Sequence, residues 1–269
     1  MNASAWSGNG YIGLFPGLCD YPTIDSYKIE YLDPVTQTKE VVKLASLSYN
    51  DYPPAILSGM KKLDFRMIDN NRIGVLTISS FLLPYNHYRN FIDSVFTKLK
   101  TDNIPNLIID LRGNIGGLPE GAVELLTYLM PKSFVFFNEG NGYNNYKIPI
   151  EPSSNRFDGN IFFLIDGACR STTGHFLSMA KYHNLGEMIG EETCASYSCN
   201  DNGAPYTLPN SKLILQCPGS TYTVAVSGLE RGNGIFPNYT IVPTIQHIIT
   251  GKDPVLQFAI ERTREVRKR

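Results

Sequence analysis

Apolar residues recur along this chain in two periods. Residues 26–32, SYKIEYL, and 38–47, TKEVVKLASL, alternate apolar and polar around the turn-forming DPVTQ, which predicts a β-hairpin. RIGVLTISSF (72–81) predicts a strand, and NLIIDL (106–111) and NIFFLID (160–166) are continuous apolar runs of the kind buried on both faces of a sheet. HYRNFIDSVFTKLKTDN (87–103) instead places apolar residues at 91, 92, 95, 96 and 99, a helical spacing. LPEGAVELLTYLM (118–130), STTGHFLSMAKYHN (171–184) and DPVLQFAIERTREV (253–266) predict further helices. SFVFFN (133–138), YKIPI (146–150), SKLILQC (211–217) and TYTVAV (221–226) predict strands, with a short one inside GEMIGEET (186–193). DYPPAILSG (51–59) reads as a loop. Strands alternating with helices make the fold class α/β, with much parallel pairing. Residues 1–71 are expected to form a small N-terminal β-rich, PDZ-like or linker segment, and 72–269 the core.

Composition narrows the function more than the fold. With 269 residues the chain suits one large domain, or one domain with an appendage. A formal net charge of −1 gives no bulk attraction to nucleic acid or to an anionic membrane, so neither is an expected partner. No apolar run approaches the roughly 20 residues of a membrane-spanning helix. The first residues, MNASAWSGNGYIG, carry neither the basic nor the apolar region of a signal peptide. Cys194 and Cys199 are spaced C-x4-C, but no second pair or nearby His completes a zinc set, so no metal is expected. Whether those two cysteines pair is open at this point.

Chemistry concentrates at two strand-to-helix junctions. In LIIDLRGNIGG, a buried strand ends at Asp110 and gives way to Gly113, Gly116 and Gly117 before a helix. Glycines allow positive φ and bare N–H groups, and a helix N-terminus adds free donors, which together suit an oxyanion or phosphate site. The P-loop lysine is absent, which disfavours phosphate. In IFFLIDGACRSTTGH, a second buried strand ends just before Ser171. Ser171 reads either as an ordinary helix N-cap or as a nucleophile on a sharp turn, with the Thr172 N–H beside it.

These segments, in this order, resemble serine peptidase family S41, the C-terminal processing (tail-specific) proteases and their tricorn-core relatives. LIIDLRGNIGG resembles the family's D-L-R-x-N-x-G-G, and FFLIDGACRSTTGHF its nucleophile segment. MIGEETCAS resembles the G-E-x-T-x-G turn, and GLERGNGIFPN with GKDPVLQFAI the terminal block. The resemblance runs from about Arg72 to Ile260. It implies a ClpP/crotonase-like β/α core and a serine endopeptidase acting on peptide or protein without a cofactor. Ser171 is then the implied nucleophile, and Gly116 or Gly117 with the Thr172 N–H the implied oxyanion hole.

The family's base comes either from a Lys after G-E-x-T or from an upstream His oriented by a carboxylate. Ser196 stands where the Lys would fall, and no Lys lies between Lys181 and Lys212. Glu230 occupies the carboxylate's place, but the chain has no His before His87, so the base is expected from a missing upstream region. His175, four residues after Ser171, is expected to be a packing or surface residue; His87 stands at a position the family does not use, and His183 and His247 are expected on a surface helix or loop. The alternative is a catalytically degenerate binding module for a peptide or lipophilic ligand. By resemblance, an exported location is expected.

Overall fold

The computed structural model describes residues 25–33, 36–45, 63–70, 72–201 and 203–266. The 51–59 loop, and residues 1–24 of the expected N-terminal segment, lie outside the described residues.

The hairpin forms as β1 (Ser26–Leu32) and β2 (Lys39–Ala45), antiparallel from Ser26 opposite Ala45 to Leu32 opposite Lys39. Next come β3 (Leu63–Ile68), β4 (Ile73–Ile78), α1 (Tyr85–Thr101), β5 (Asn106–Asp110) and α2 (Pro119–Thr127). They are followed by β6 (Phe137–Glu139), β7 (Asn160–Ile165), α3 (Thr172–Tyr182), β8 (Glu187–Gly190) and β9 (Ser198–Asn200). The chain continues through β10 (Ala204–Thr207), β11 (Ile214–Cys217), β12 (Thr221–Val224), β13 (Tyr239–Thr240), α4 (Ile245–Ile249) and α5 (Pro254–Val266).

The core is a six-stranded sheet in the order β13-β8-β7-β5-β4-β3. Its pairs are parallel except β3 with β4, which run antiparallel. The apolar runs of β4, β5 and β7 divide by period two, because successive side chains of a strand point to opposite faces. Leu76, Ile78, Leu107, Ile109, Phe163 and Ile165 join the α1, α2 and α3 residues in one cluster. Ile73, Val75, Ile108, Phe162 and Leu164 join Val255 and Ala259 of α5 in another. Both faces are therefore covered, which is why these strands read as continuous apolar runs. Arg112 ties α5 to the end of β5, with forked hydrogen bonds of 2.7–2.9 Å to Asp110 and Asp253. Burial works against the guanidinium, but the two carboxylates outweigh it and hold its pKa above the ordinary value.

The structure corrects the strand reading at two places. YKIPI is not a strand: Asn144–Tyr146 form a 3-10 turn, and Ile150 alone bridges back to Phe134. Tyr143, at φ 48, turns the chain there, and Pro149 has no N–H for a ladder. In SFVFFN, ladder pairing begins only at Phe137. The sheet also reaches back before residue 72, because β3 pairs with β4 along its whole length and packs Leu63, Phe65 and Met67 on the core. Among the described residues, no helix is long and apolar enough to cross a membrane.

Candidate active site

The parallel pairing of β5 with β7 sets their C-terminal ends side by side, so the two glycine- and serine-bearing turns meet. Asp166, just past β7, accepts the Gly113 N–H at 3.1 Å and the Ala168 N–H at 3.0 Å, clamping one turn to the other. Asn114 completes the clamp. Its amide donates to the Ile78 carbonyl at the end of β4, and its Oδ1 accepts the Gly116 N–H at 2.9 Å and the Thr173 hydroxyl at 2.8 Å. Asn114 and Thr173 are both fully buried, and each polar atom of this knot has its partner.

Ser171 occupies the cap position of α3 but does not act as a cap. Its side chain makes no capping hydrogen bond, and its backbone sits at φ 54, ψ −129. That conformation costs a β-carbon-bearing residue about 1–3 kcal/mol and survives only where the surroundings impose it. The turn between β7 and α3 imposes it, with Cys169 N–H bonded to Asp166 and Arg170 N–H bonded to Asn114. The result holds the hydroxyl clear of the helix end, half-buried rather than folded onto it.

Gly116 and Gly117 form the facing wall. A Cβ on Gly116, whose φ is +94, would lie 2.8 Å from the Ser171 Cβ and 3.0 Å from the Thr172 nitrogen. A side chain there would cover Ser171. Gly117 is bridged to Phe81, whose N–H donates to Gly116 O and whose carbonyl accepts the Leu118 N–H. In extended chain, adjacent peptide groups alternate direction, so the N–H and C=O of Gly117 itself face away from Phe81. The carbonyl there receives the Thr172 hydroxyl at 2.5 Å, which fixes the direction as that of Ser171 and Thr172. Among the described residues, neither the Gly117 N–H nor the Thr172 N–H donates to a protein group, whereas the Gly116 N–H is taken by Asn114. Two free donors thus flank one serine, and one is the first N–H of a helix.

Ser171, Gly116, Gly117 and Thr172 are therefore brought together. Glu230 is not part of that cluster: it lies exposed on the loop after β12, accepting a 2.8 Å bond from Asn233. His175 is a packing residue, 3% exposed and held edge-on against Phe136 and Phe137. Burial lowers its pKa to about 4, with the Tyr222 carbonyl pulling the other way. Its Nε2 lies 3.3 Å from Cys199 Sγ. Burial pushes the Cys199 thiol's pKa up, and the nearby Ser171 hydroxyl partly offsets it. Ser196 is buried, and its Oγ has no hydrogen-bond partner among the described residues. Among the described residues, Cys194 and Cys199 form no disulfide. Among the described residues, no group of three or more His, Cys, Asp or Glu residues could hold a metal ion.

Sequence reasoning passed over Asn114, Thr173 and Cys199. The first two lay inside motifs already singled out, as the N of D-L-R-x-N and the second Thr of STT. Cys199 was marked only by its C-x4-C spacing from Cys194, and the pairing of β9 with β12 is what sets it beside His175.

Comparison with known proteins bears on this arrangement directly. The family model of peptidase family S41 matches residues 72–241, more than half of the chain. A curated relative from Staphylococcus haemolyticus (strain JCSC1435), "Probable CtpA-like serine protease", is 24% identical over 136 residues. That match covers 50% of this chain and 26% of the relative, so the chain spans about a quarter of the relative's length. A solved structure from Bacteroides fragilis NCTC 9343, described as an S41 protease, aligns with a TM-score of 0.59 at 18% identity, covering 89% of this chain and 66% of that one. Another from Parabacteroides merdae ATCC 43184, described as a peptidase, aligns with a TM-score of 0.54 at 20% identity, covering 79% of this chain and 71% of that one. At such identities the structural likeness speaks for the fold alone. The matched stretch contains both strand-to-helix junctions and every residue of the Ser171 cluster, and this chain belongs to peptidase family S41.

Proposed function

We propose that this chain is the catalytic core of a serine endopeptidase acting on peptide or protein. The observation that carries the reading is the conformation of Ser171: strained at positive φ, uncapped, and flanked by the unused N–H groups of Gly117 and Thr172. Ser171 Oγ attacks the scissile carbonyl carbon, and the carbonyl oxygen becomes an oxyanion held by those two N–H groups. The tetrahedral intermediate collapses to an acyl-enzyme as the amine leaves, and water then releases the acyl group. Gly116 acts by its lack of a side chain, keeping the attack path open.

The proton of Ser171 needs an acceptor of suitable basicity. His175 is a weak one, since its desolvated ring resists protonation. The reading keeps Glu230 as the carboxylate that orients the base, and its exposed loop leaves that carboxylate accessible. A ClpP/crotonase-like core accords with the two junctions set side by side at the strand ends. An exported location remains the family expectation.

The test is covalent labelling by a fluorophosphonate, read by intact mass. Ser171 is expected to be modified, and Ser171→Ala to abolish the modification. A folded protein that stays unlabelled in its longest natural form would overturn the reading in favour of a non-catalytic binding module.

A further inference from the structure

The hairpin of β1 and β2 stands apart from the core. Among the described residues its strands pair only with each other, and neither core cluster takes a side chain from it. It nevertheless has an apolar face. The register sets Tyr27 opposite Leu44 and Ile29 opposite Val42, and Tyr31 follows on the same side. Tyr27, Ile29, Tyr31 and Leu44 are 41–46% exposed. A two-stranded hairpin is marginal in water, whereas three or more strands sharing an apolar face are stable.

The free edges show where further strands can add. The Asp33 N–H donates to the Thr38 carbonyl at 2.8 Å, which closes the ladder at the turn. Backbone groups alternate sides along a strand, so Tyr27, Ile29 and Tyr31 turn theirs toward β2, and Ser26, Lys28, Glu30 and Leu32 turn theirs outward. By the same alternation β2 turns Lys39, Val41, Lys43 and Ala45 outward. The two edges differ in charge. Lysines without an acid protect the β2 edge, a common device against pairing. The β1 edge carries one charge of each sign, Lys28 and Glu30.

β1 is also self-complementary. Tyr27-Lys28-Ile29-Glu30-Tyr31 is symmetric in shape about Ile29 and opposite in charge on its two sides. An antiparallel copy centred on Ile29 sets each Lys28 against Glu30 of the second copy. These are hydrogen-bonded positions, as is Ser26 against Leu32, so every outward N–H and C=O of β1 gains a partner. On the apolar face Ile29 meets Ile29 and Tyr27 meets Tyr31, which continues the row from Val42 across both copies. A slip of two residues would set Lys28 against Lys28 or Glu30 against Glu30, and a slip of one would turn the apolar face over. Glu30 also accepts Lys39 of its own hairpin at 2.8 Å, and a carboxylate has two oxygens for two such donors.

We infer that β1 is a pairing edge for a second copy of this chain, joining two hairpins into one four-stranded antiparallel sheet about a two-fold axis. Exposed charge pairs add little strength but fix partner and register. A pairing confined to one edge stays below the roughly 1,200 Å² of buried area at which stable complexes begin, so a micromolar dimer is expected.

Sedimentation velocity from about 1 to 300 μM measures it. Lys28→Glu and Glu30→Lys should each weaken self-association about tenfold or more, because each sets like charges against each other twice. An equimolar mixture of the two variants should dimerise again, since every facing pair is then of opposite sign. Ile29→Cys should cross-link to itself under copper-catalysed air oxidation, its Cα lying about 4.5 Å from its counterpart, while Tyr27→Cys should not. Peptide mapping identifies the bond. A wild-type chain that stays monomeric throughout, single variants that associate as well as the wild type, or a mixture that stays monomeric would overturn the inference. Equal cross-linking of both cysteine variants would overturn the register.

Discussion

Thr173 donates a 2.8 Å hydrogen bond to Asn114 Oδ1, joining the start of α3 to the turn that carries Gly116 and Gly117. The bond spans segments that only the sheet brings together. It makes the serine turn and the facing glycine wall one rigid unit, and rigidity is what a preorganised oxyanion site requires.

Asn114→Ala removes the partner of the Gly116 N–H, the Thr173 hydroxyl and the Ile78 carbonyl at once. Several buried groups are then left unpaired, at an expected cost of about 2–4 kcal/mol. Urea denaturation checks the stability. Fluorophosphonate labelling checks the site, and a slowing of about 100-fold is expected from loss of donor alignment. A variant as reactive as the wild type would show that Asn114 serves stability alone.

Ser171→Gly tests the backbone strain. Glycine adopts φ 54, ψ −129 without a Cβ clash. Relief of strain is partly offset by the larger chain entropy of glycine in the unfolded state, so the variant is expected to be more stable by about 1 kcal/mol. Ser171→Ala keeps the Cβ and should show no such gain. A higher urea midpoint for the alanine variant than for glycine would contradict the strain assignment.

His175 makes stability pH-dependent. Its folded pKa lies at about 4, below the ordinary 6.5. Between those values the unfolded chain binds a proton that the folded chain does not, so stability falls as pH drops through that window. The slope is up to about 1.4 kcal/mol per pH unit and levels off once pH falls below the folded value. His175→Gln keeps a donor for the Tyr222 carbonyl and removes the titration. Its urea midpoint is therefore expected to be flatter than that of the wild type from pH 6.5 to 4. Parallel profiles would assign the acid sensitivity to other groups.

Much of the core was legible in the chain itself. NLIIDL and NIFFLID read as strands covered on both faces, and the spacing through 91, 92, 95, 96 and 99 reads as a helix burying one face. β3 was less visible, because its residues are only half-buried at the sheet edge and carry a weaker pattern. YKIPI misled because its apolar content resembles a strand while Pro149 removes the donor a ladder needs.

The sequence by itself determined which segments become strands and helices and which serine stands at the second junction. These follow from short-range causes: side-chain periodicity, the backbone freedom of glycine and the order of motifs along the chain. Tertiary structure alone decided that Ser171 does not cap its helix, that the Gly116 N–H is taken while those of Gly117 and Thr172 find no acceptor among the described residues, and that Glu230 stands exposed. Each of these depends on which group lies across space from which. The pairing of β5 with β7 and the bridge from Phe81 to Gly117 set that arrangement, and no local pattern records it.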